Sequence, residues 1–171
     1  RSGAYAGIAQ VRMRGATPGK TLVLIDGVPV NDPSEINGAF DVSGFDLGDI
    51  DRIEVLSGPQ SSLWGSAAIG GVIAFTTREV DGLRAEAEAG SFNTVRGRLA
   101  VGRADETWAL GAWVSRFDTN GISAADAADG NPERDGFGST TAGLRGRYRL
   151  ASEARVEGTV RWSRSAGDLD G

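Results

Sequence analysis

Four groups of residues in this chain have types that could do chemistry, and their spacing decides how far each can be taken. Gly15-Ala16-Thr17-Pro18-Gly19-Lys20-Thr21 is one residue short of a phosphate-cradling loop, and a β-type apolar run follows it where that loop needs a helix. Without a helix N-terminus the amide cradle and its dipole are missing, which sets nucleotide binding aside. Ser61, Ser62 and Ser66 could act as nucleophiles, but the chain has no histidine to activate them. The carboxylate pairs Asp49/Asp51 and Glu86/Glu88 fall in turns or alternating strands, where solvated or ion-paired faces are the ordinary outcome. The fourth group, Asp118, Asp126, Asp129, Asn131, Glu133 and Asp135, is rich in oxygen donors. Calcium takes about six to eight such oxygens. The spacing is not that of an EF-hand, and a solvated acidic loop is the commoner outcome. No enzyme is expected.

Composition narrows the classes further. The 171 residues carry 18 Lys and Arg, with Lys20 the single lysine, against 23 acids, for a net charge of -5. That balance argues against a nucleic-acid footprint, which needs cations clustered on one face. Cysteine is absent, so there is neither a disulfide framework nor a thiolate site. The 26 glycines point to turns and sheet. No apolar run approaches the roughly 20 residues of a membrane helix, which argues against a helical inner-membrane protein. The chain opens on Arg1 with no leader and is expected to be a piece of a longer protein.

The elements that must position these residues read as short strands. Gly7 to Arg14 alternates, with a strand expected over Val11–Arg14. Thr21 to Ile25 is a buried-type strand, and Asp26-Gly27 marks a hairpin before Val28 to Val30. Asn31 to Gly44 has no periodicity and reads as a long loop, with a short helical turn expected within Phe45–Asp49. Ile53 to Leu56 alternates and stops at Gly58-Pro59; Ser61 to Trp64 makes about one helical turn, and Val72 to Thr77 is β-branched and strand-forming.

From Leu83 the texture changes. Apolar Leu83, Ala85, Ala87 and Ala89 alternate with charged or polar partners, and so do the runs around Val95–Val101, Ala142–Leu150 and Ala154–Trp162, while Trp108–Val114 alternates less cleanly with Ala109, Gly111, Trp113 and Ser115. Segments of about 10 residues with a dyad period are the signature of a transmembrane β-barrel. A soluble β-sandwich binding module would show the same alternation, with the apolar sides packed together. The small Ala and Gly residues would make a thin soluble core and favour a lipid-facing surface. The links at Ser91–Asn93, Arg103–Glu106 and Ala151–Ser152 are short, whereas Asp118–Gly136 is long.

Two blocks carry a family resemblance. VRMRGATPGKTLVLIDGVPVN and IDRIEVLSGPQSSLWGSAAIGGVIAFTT, in that order and at that separation, resemble the plug domain of TonB-dependent outer-membrane receptors, most closely the cobalamin transporter branch. One departure is Ser57, where the residue before Gly-Pro is often Arg in that family. The resemblance implies a mainly β fold. Residues 1–79 would be the C-terminal part of an α+β plug, and residues 82–171 the first antiparallel strands of an outer-membrane barrel, too few to close. It implies active uptake of a scarce nutrient, cobalamin or a ferric siderophore or other metal chelate, across the bacterial outer membrane. Its partners would be TonB, acting through a TonB box absent from this chain, and outer-membrane lipid. By the same resemblance the plug's apical loops, Ser2 to Tyr5 and Ser34, Glu35, Ile36 and Asn37, would touch the ligand. Asp126, Asp129, Glu133 and Asp135 would be candidate calcium ligands, since Glu133–Phe137 is similar to the calcium-binding outer loop of the cobalamin transporter, although Arg134 intrudes. The barrel reading also requires Arg84, Glu86, Arg96, Arg98, Arg145, Arg147, Arg155 and Arg161 to share the concave side.

Overall fold

The computed structural model describes residues 8–35, 37–121, 135–151 and 154–167. The chain divides into two compact units, one over Ile8–Arg78 and one beginning at Glu79. Their order is β1 (Thr21–Ile25), β2 (Val28–Pro29), β3 (Ile50–Ser57), α1 (Ser61–Trp64) and β4 (Gly71–Thr77), then β5 (Gly82–Gly90), β6 (Thr94–Ala104), β7 (Trp108–Thr119), β8 (Phe137–Arg149) and β9 (Arg155–Gly167). The only α-helix among the described residues is four residues long.

The first unit is built on a mixed sheet of order β2-β1-β4-β3. β1 and β4 run parallel at its centre, pairing Thr21 with Gly71 through Ile25 with Phe75. A central parallel pair is covered on both faces, which is why both strands read as continuous apolar runs and not as alternations. Leu22, Leu24 and Val72 pack on Ala68 on one face; Val23, Ile73 and Phe75 pack with Ile50 on the other. Phe45 extends the second cluster, its ring 5.1 Å from Phe75 and 5.5 Å from Phe40. The Asp-Gly turn works as its residue types require, with φ of 49° at Asp26 and 81° at Gly27. Asp26 also clamps the end of β4, accepting from the Thr77 amide at 2.8 Å and from its hydroxyl at 2.7 Å.

Two expected elements are corrected. Val11–Arg14 is not a strand: Gln10 makes one isolated bridge with Asp41, and the chain then turns at Arg14 and Gly15, both left-handed. Side chains supply what a ladder would have, the Asp41 carboxylate accepting from the Ala9 amide at 3.0 Å. Val11 and Met13 instead pack beside the Val23 cluster. Phe45–Asp49 forms no helical turn of its own; the chain makes a hydrogen-bonded turn from Leu47 to Ile50, with the Asp46 carboxylate accepting from the Gly48 amide. Those polar contacts compete with a helical ladder for the same backbone groups.

The second unit is an antiparallel meander in sequence order, β5-β6-β7-β8-β9. It is one open sheet. β7 runs on to Thr119, so Asp118 belongs to a strand and not to the loop. The Ser91–Asn93 link is tight, with Phe92 and Asn93 both at positive φ.

Candidate functional site

The expected ligand-contact loop is fastened at its base by Asn31, whose side chain behaves like a strand. Its Oδ1 accepts from the Val23 amide at 2.7 Å, and its Nδ2 donates to the carbonyls of Thr21 at 3.1 Å and Gly38 at 2.9 Å. The Thr21–Val23 part of β1, beyond its short pairing with β2, is thereby joined to both ends of the loop. A Cβ at Gly19 would overlap the Asn37 carbonyl, so only glycine lets the loop lie this close. Above the base, Asp32 accepts from the Ser34 amide at 2.8 Å and its hydroxyl at 2.7 Å. These bonds stabilise the ionised form and hold the Asp32 carboxyl below its ordinary range. Ser34, Glu35 and Asn37 are exposed on this loop; Ser2, Tyr5 and Ile36 lie outside the described residues. Asn31 was not legible as a key residue, its one signal being a polar side chain soon after the Val28–Pro29 strand. Asn31→Ala should lower the stability of the first unit by about 2–3 kcal/mol, since three hydrogen bonds of about 1 kcal/mol each are lost. Asn31→Asp, which keeps the acceptor but turns a carboxylate oxygen toward the Thr21 and Gly38 carbonyls, should cost at least as much; equal stability of Asn31→Ala and parent in chemical denaturation would remove this role.

Of the candidate calcium ligands, Asp126, Asp129 and Glu133 lie outside the described residues, and Asp135 is buried at 2% exposure. Among the described residues, no group of three or more acidic side chains is placed to hold a metal ion.

The second unit presents two chemically distinct faces, set by register. Glu86 pairs with Arg98, Ala100 with Trp113, Gly111 with Arg145, and Gly143 with Arg161. By this register Arg84, Glu86, Arg96, Arg98, Arg145, Arg147, Arg155 and Arg161 all fall on one face, as the alternation required. Carboxylates are interleaved there: Arg84 meets Glu86 at 2.5 Å, Arg96 meets Glu88 at 3.4 Å, and Arg145 and Arg155 each meet Glu157 at 3.6 Å. Trp113 lies across Gly143, where a Cβ would run into its indole, and Arg161 sits 5.6 Å above the ring. Arg147 reaches back to Glu79, two bonds from one guanidinium to one carboxylate. That pair holds the Glu79 carboxyl below its ordinary value. With the folded value the lower, its contribution is full above the ordinary carboxylate value and is lost as pH falls through the folded one. Asp105, in the β6–β7 turn, is lowered likewise by the Trp108 and Thr107 amides.

The opposite face is apolar and uncovered. Leu83, Val101, Ala112, Leu144 and Val160 form one cross-strand line, and Leu83 is 73%, Leu144 57% and Val160 69% exposed. Trp108, Leu110, Tyr148, Val156 and Trp162 continue it, all exposed. The face turns polar toward the Thr119 end of β7, where Arg116 is paired with Asp118 and donates to Thr140 at 2.8 Å. In a soluble sandwich this face would be packed against a second sheet. An exposed apolar band of this extent marks a surface that meets something other than water.

Comparison with known proteins agrees with both units. Residues 1–72 match the TonB-dependent Receptor Plug Domain family. The siderophore receptor PirA from Acinetobacter baumannii superposes with a TM-score of 0.67 at 20% identity, over 98% of this chain and 27% of that one. PirA from Pseudomonas aeruginosa gives 0.63 at 23% identity, over 98% and 30%. The copper transporter OprC gives 0.72 at 18% identity, over 94% and 26%. The chain thus spans between 26% and 30% of the length of these solved chains. Over residues 1–72 the chain is matched by the TonB-dependent receptor plug domain, and across nearly its whole length it has the fold of a plug segment followed by an unclosed run of antiparallel strands.

Proposed function

We propose that this chain is the plug segment and first barrel strands of a receptor that takes up a scarce nutrient across the bacterial outer membrane with energy delivered by TonB. The observation that carries this reading is the two-faced sheet, with large apolar side chains exposed on one side and eight charged positions sharing the other. Lipid covers the first face at no cost in solvation, and the charged face lines the interior. The cargo is a metal chelate of the cobalamin or ferric-siderophore kind. It meets the plug at Ser2, Tyr5 and the Ser34–Asn37 loop, where exposed donors and acceptors stand on a base fixed by Asn31. Asp126, Asp129, Glu133 and Asp135 are proposed to hold calcium in the outer loop.

The test is uptake by the full-length receptor of radiolabelled cobalamin and of a panel of ferric siderophores, in cells with and without TonB. One cargo should accumulate only with TonB, and its binding at 4 °C should weaken in Tyr5→Ala and Asn37→Ala at unchanged receptor level. Accumulation of none of these cargoes, or equal accumulation without TonB, would overturn the uptake reading.

A further inference from the structure

Only Glu79, Val80 and Asp81 separate the first unit from β5, and each is tied to a different part of the second unit. The Glu79 carboxylate accepts from Arg147 on β8 twice, from Nε at 2.6 Å and from Nη2 at 3.1 Å. Arg147 Nη2 donates also to the Asp105 carbonyl at 3.1 Å, which fixes the guanidinium from a second side. Val80 passes over β6 and β7: a Cβ at Gly102 would strike the Val80 carbonyl, and one at Gly111 would meet the Val80 side chain at 4.0 Å. Asp81 accepts from the Ala104 amide at 3.4 Å. The three residues therefore cross β8, β7 and β6 before β5 begins. Strand pairing does not require this, because β5 is already in register with β6 from Gly82 to Gly90. The preceding residue, Arg78, is tied into the first unit, its amide donating to the Asp49 carbonyl at 2.7 Å and its guanidinium to the Ile50 carbonyl at 3.3 Å.

We infer that the Glu79–Arg147 pair is a clamp that takes tension arriving from the plug and passes it into β8 instead of β5. β5 is the outermost strand of the sheet, paired with β6, and every one of its residues is exposed. In a closed barrel its other edge is the seam, joined to the far end of the sheet through hydrogen bonds alone. β8 is flanked by β7 and β9 along its whole length. Tension at Arg78 must break two parallel charge-assisted bonds on that interior strand before it reaches Gly82. This reading rests on the TonB-energised uptake proposed above, taking that energy to reach the barrel as a pull on the plug, but the clamp itself needs neither cargo nor TonB.

The experiment is force spectroscopy on the full-length receptor in a lipid bilayer, pulled by a tag at its N-terminus. In the parent, extension ends with residue 78. In Glu79→Gln and Arg147→Gln the chain pays out further, by about 10 Å for residues 79–81 and about 40 Å if β5 follows to residue 90. The charge-reversed double variant Glu79→Arg with Arg147→Glu should restore the parent endpoint. Should Arg147→Gln fail to assemble, Glu79→Gln decides alone, being isosteric on a side chain that is 35% exposed. The same endpoint and rupture force in Glu79→Gln and parent would overturn the clamp. Extra extension in a receptor that shows no TonB-dependent uptake would uphold the clamp and count against the uptake reading only.

Discussion

Replacing Gly71 with alanine should loosen the first unit by about 3 kcal/mol, the sum of a strained backbone and an overpacked contact. Gly71 has a φ of 143°, a region that side chains rarely enter. A Cβ there would stand 2.5 Å from the Leu56 carbonyl and 2.9 Å from the Met13 methyl. The carbonyl belongs to β3, which pairs with β4 at this point, so it cannot retreat without breaking the ladder that joins Leu56 to Val72. Met13 could shift, but the backbone could not. Hydrogen exchange of the β4 amides in the full-length receptor should speed up by on the order of 100-fold in Gly71→Ala. Gly97→Ala is the control, because a Cβ at Gly97 meets nothing within 4 Å and its φ is ordinary. Unchanged exchange in Gly71→Ala would mean that β3 and β4 are not packed as described.

The second large effect concerns the exposed apolar face. Leu144→Arg and Val160→Arg should each destabilise the inserted receptor by about 2–4 kcal/mol, the cost of a cation on the lipid side near the bilayer midplane. Leu144 and Val160 are direct cross-strand partners, so the double variant should be worse than the sum, with two like charges opposed. Ser163→Arg moves the same charge one strand position from Trp162 onto the other face, opposite Thr141, and should be tolerated. Reading the folded fraction by heat-modifiable gel mobility after refolding into lipid would separate these cases. Equal loss in Leu144→Arg and Ser163→Arg would remove the distinction between the faces.

What the sequence made legible follows from how local each feature is. The two-residue period survives in any strand, so the separation of Arg145, Arg147 and Arg161 from Leu144, Val160 and Trp162 could be read without coordinates. Asp26-Gly27 was equally plain, because the turn needs residues that accept positive φ. The structure added the second task of Asp26, its grip on Thr77, which links positions 51 apart and leaves no trace in spacing. The same holds for Glu79 and Arg147, 68 apart, and for Trp113 resting on Gly143. The alternation of Val11–Arg14 is real, and Val11 and Met13 do face the core, but the backbone there is held by a turn from Met13 to Ala16 and, just before it, by Asp41 at Ala9, not by a neighbouring strand. Asn31 could not be singled out, since an asparagine after a strand is common and only its three partners show what it does.

The most direct test of the central claim, that one face of β5–β9 meets lipid while the other does not, is a spin-label scan of β8 and β9 in the receptor reconstituted in lipid. These strands contain no cysteine, so labels can be placed singly at Ala142, Leu144, Val160 and Trp162 and, on the other face, at Thr141 and Ser163. Collision with oxygen, which partitions into the bilayer, should be high at the first four and low at the last two, alternating with a period of two residues. A flat profile, or one with Thr141 and Ser163 more accessible to oxygen than Leu144 and Val160, would contradict the account.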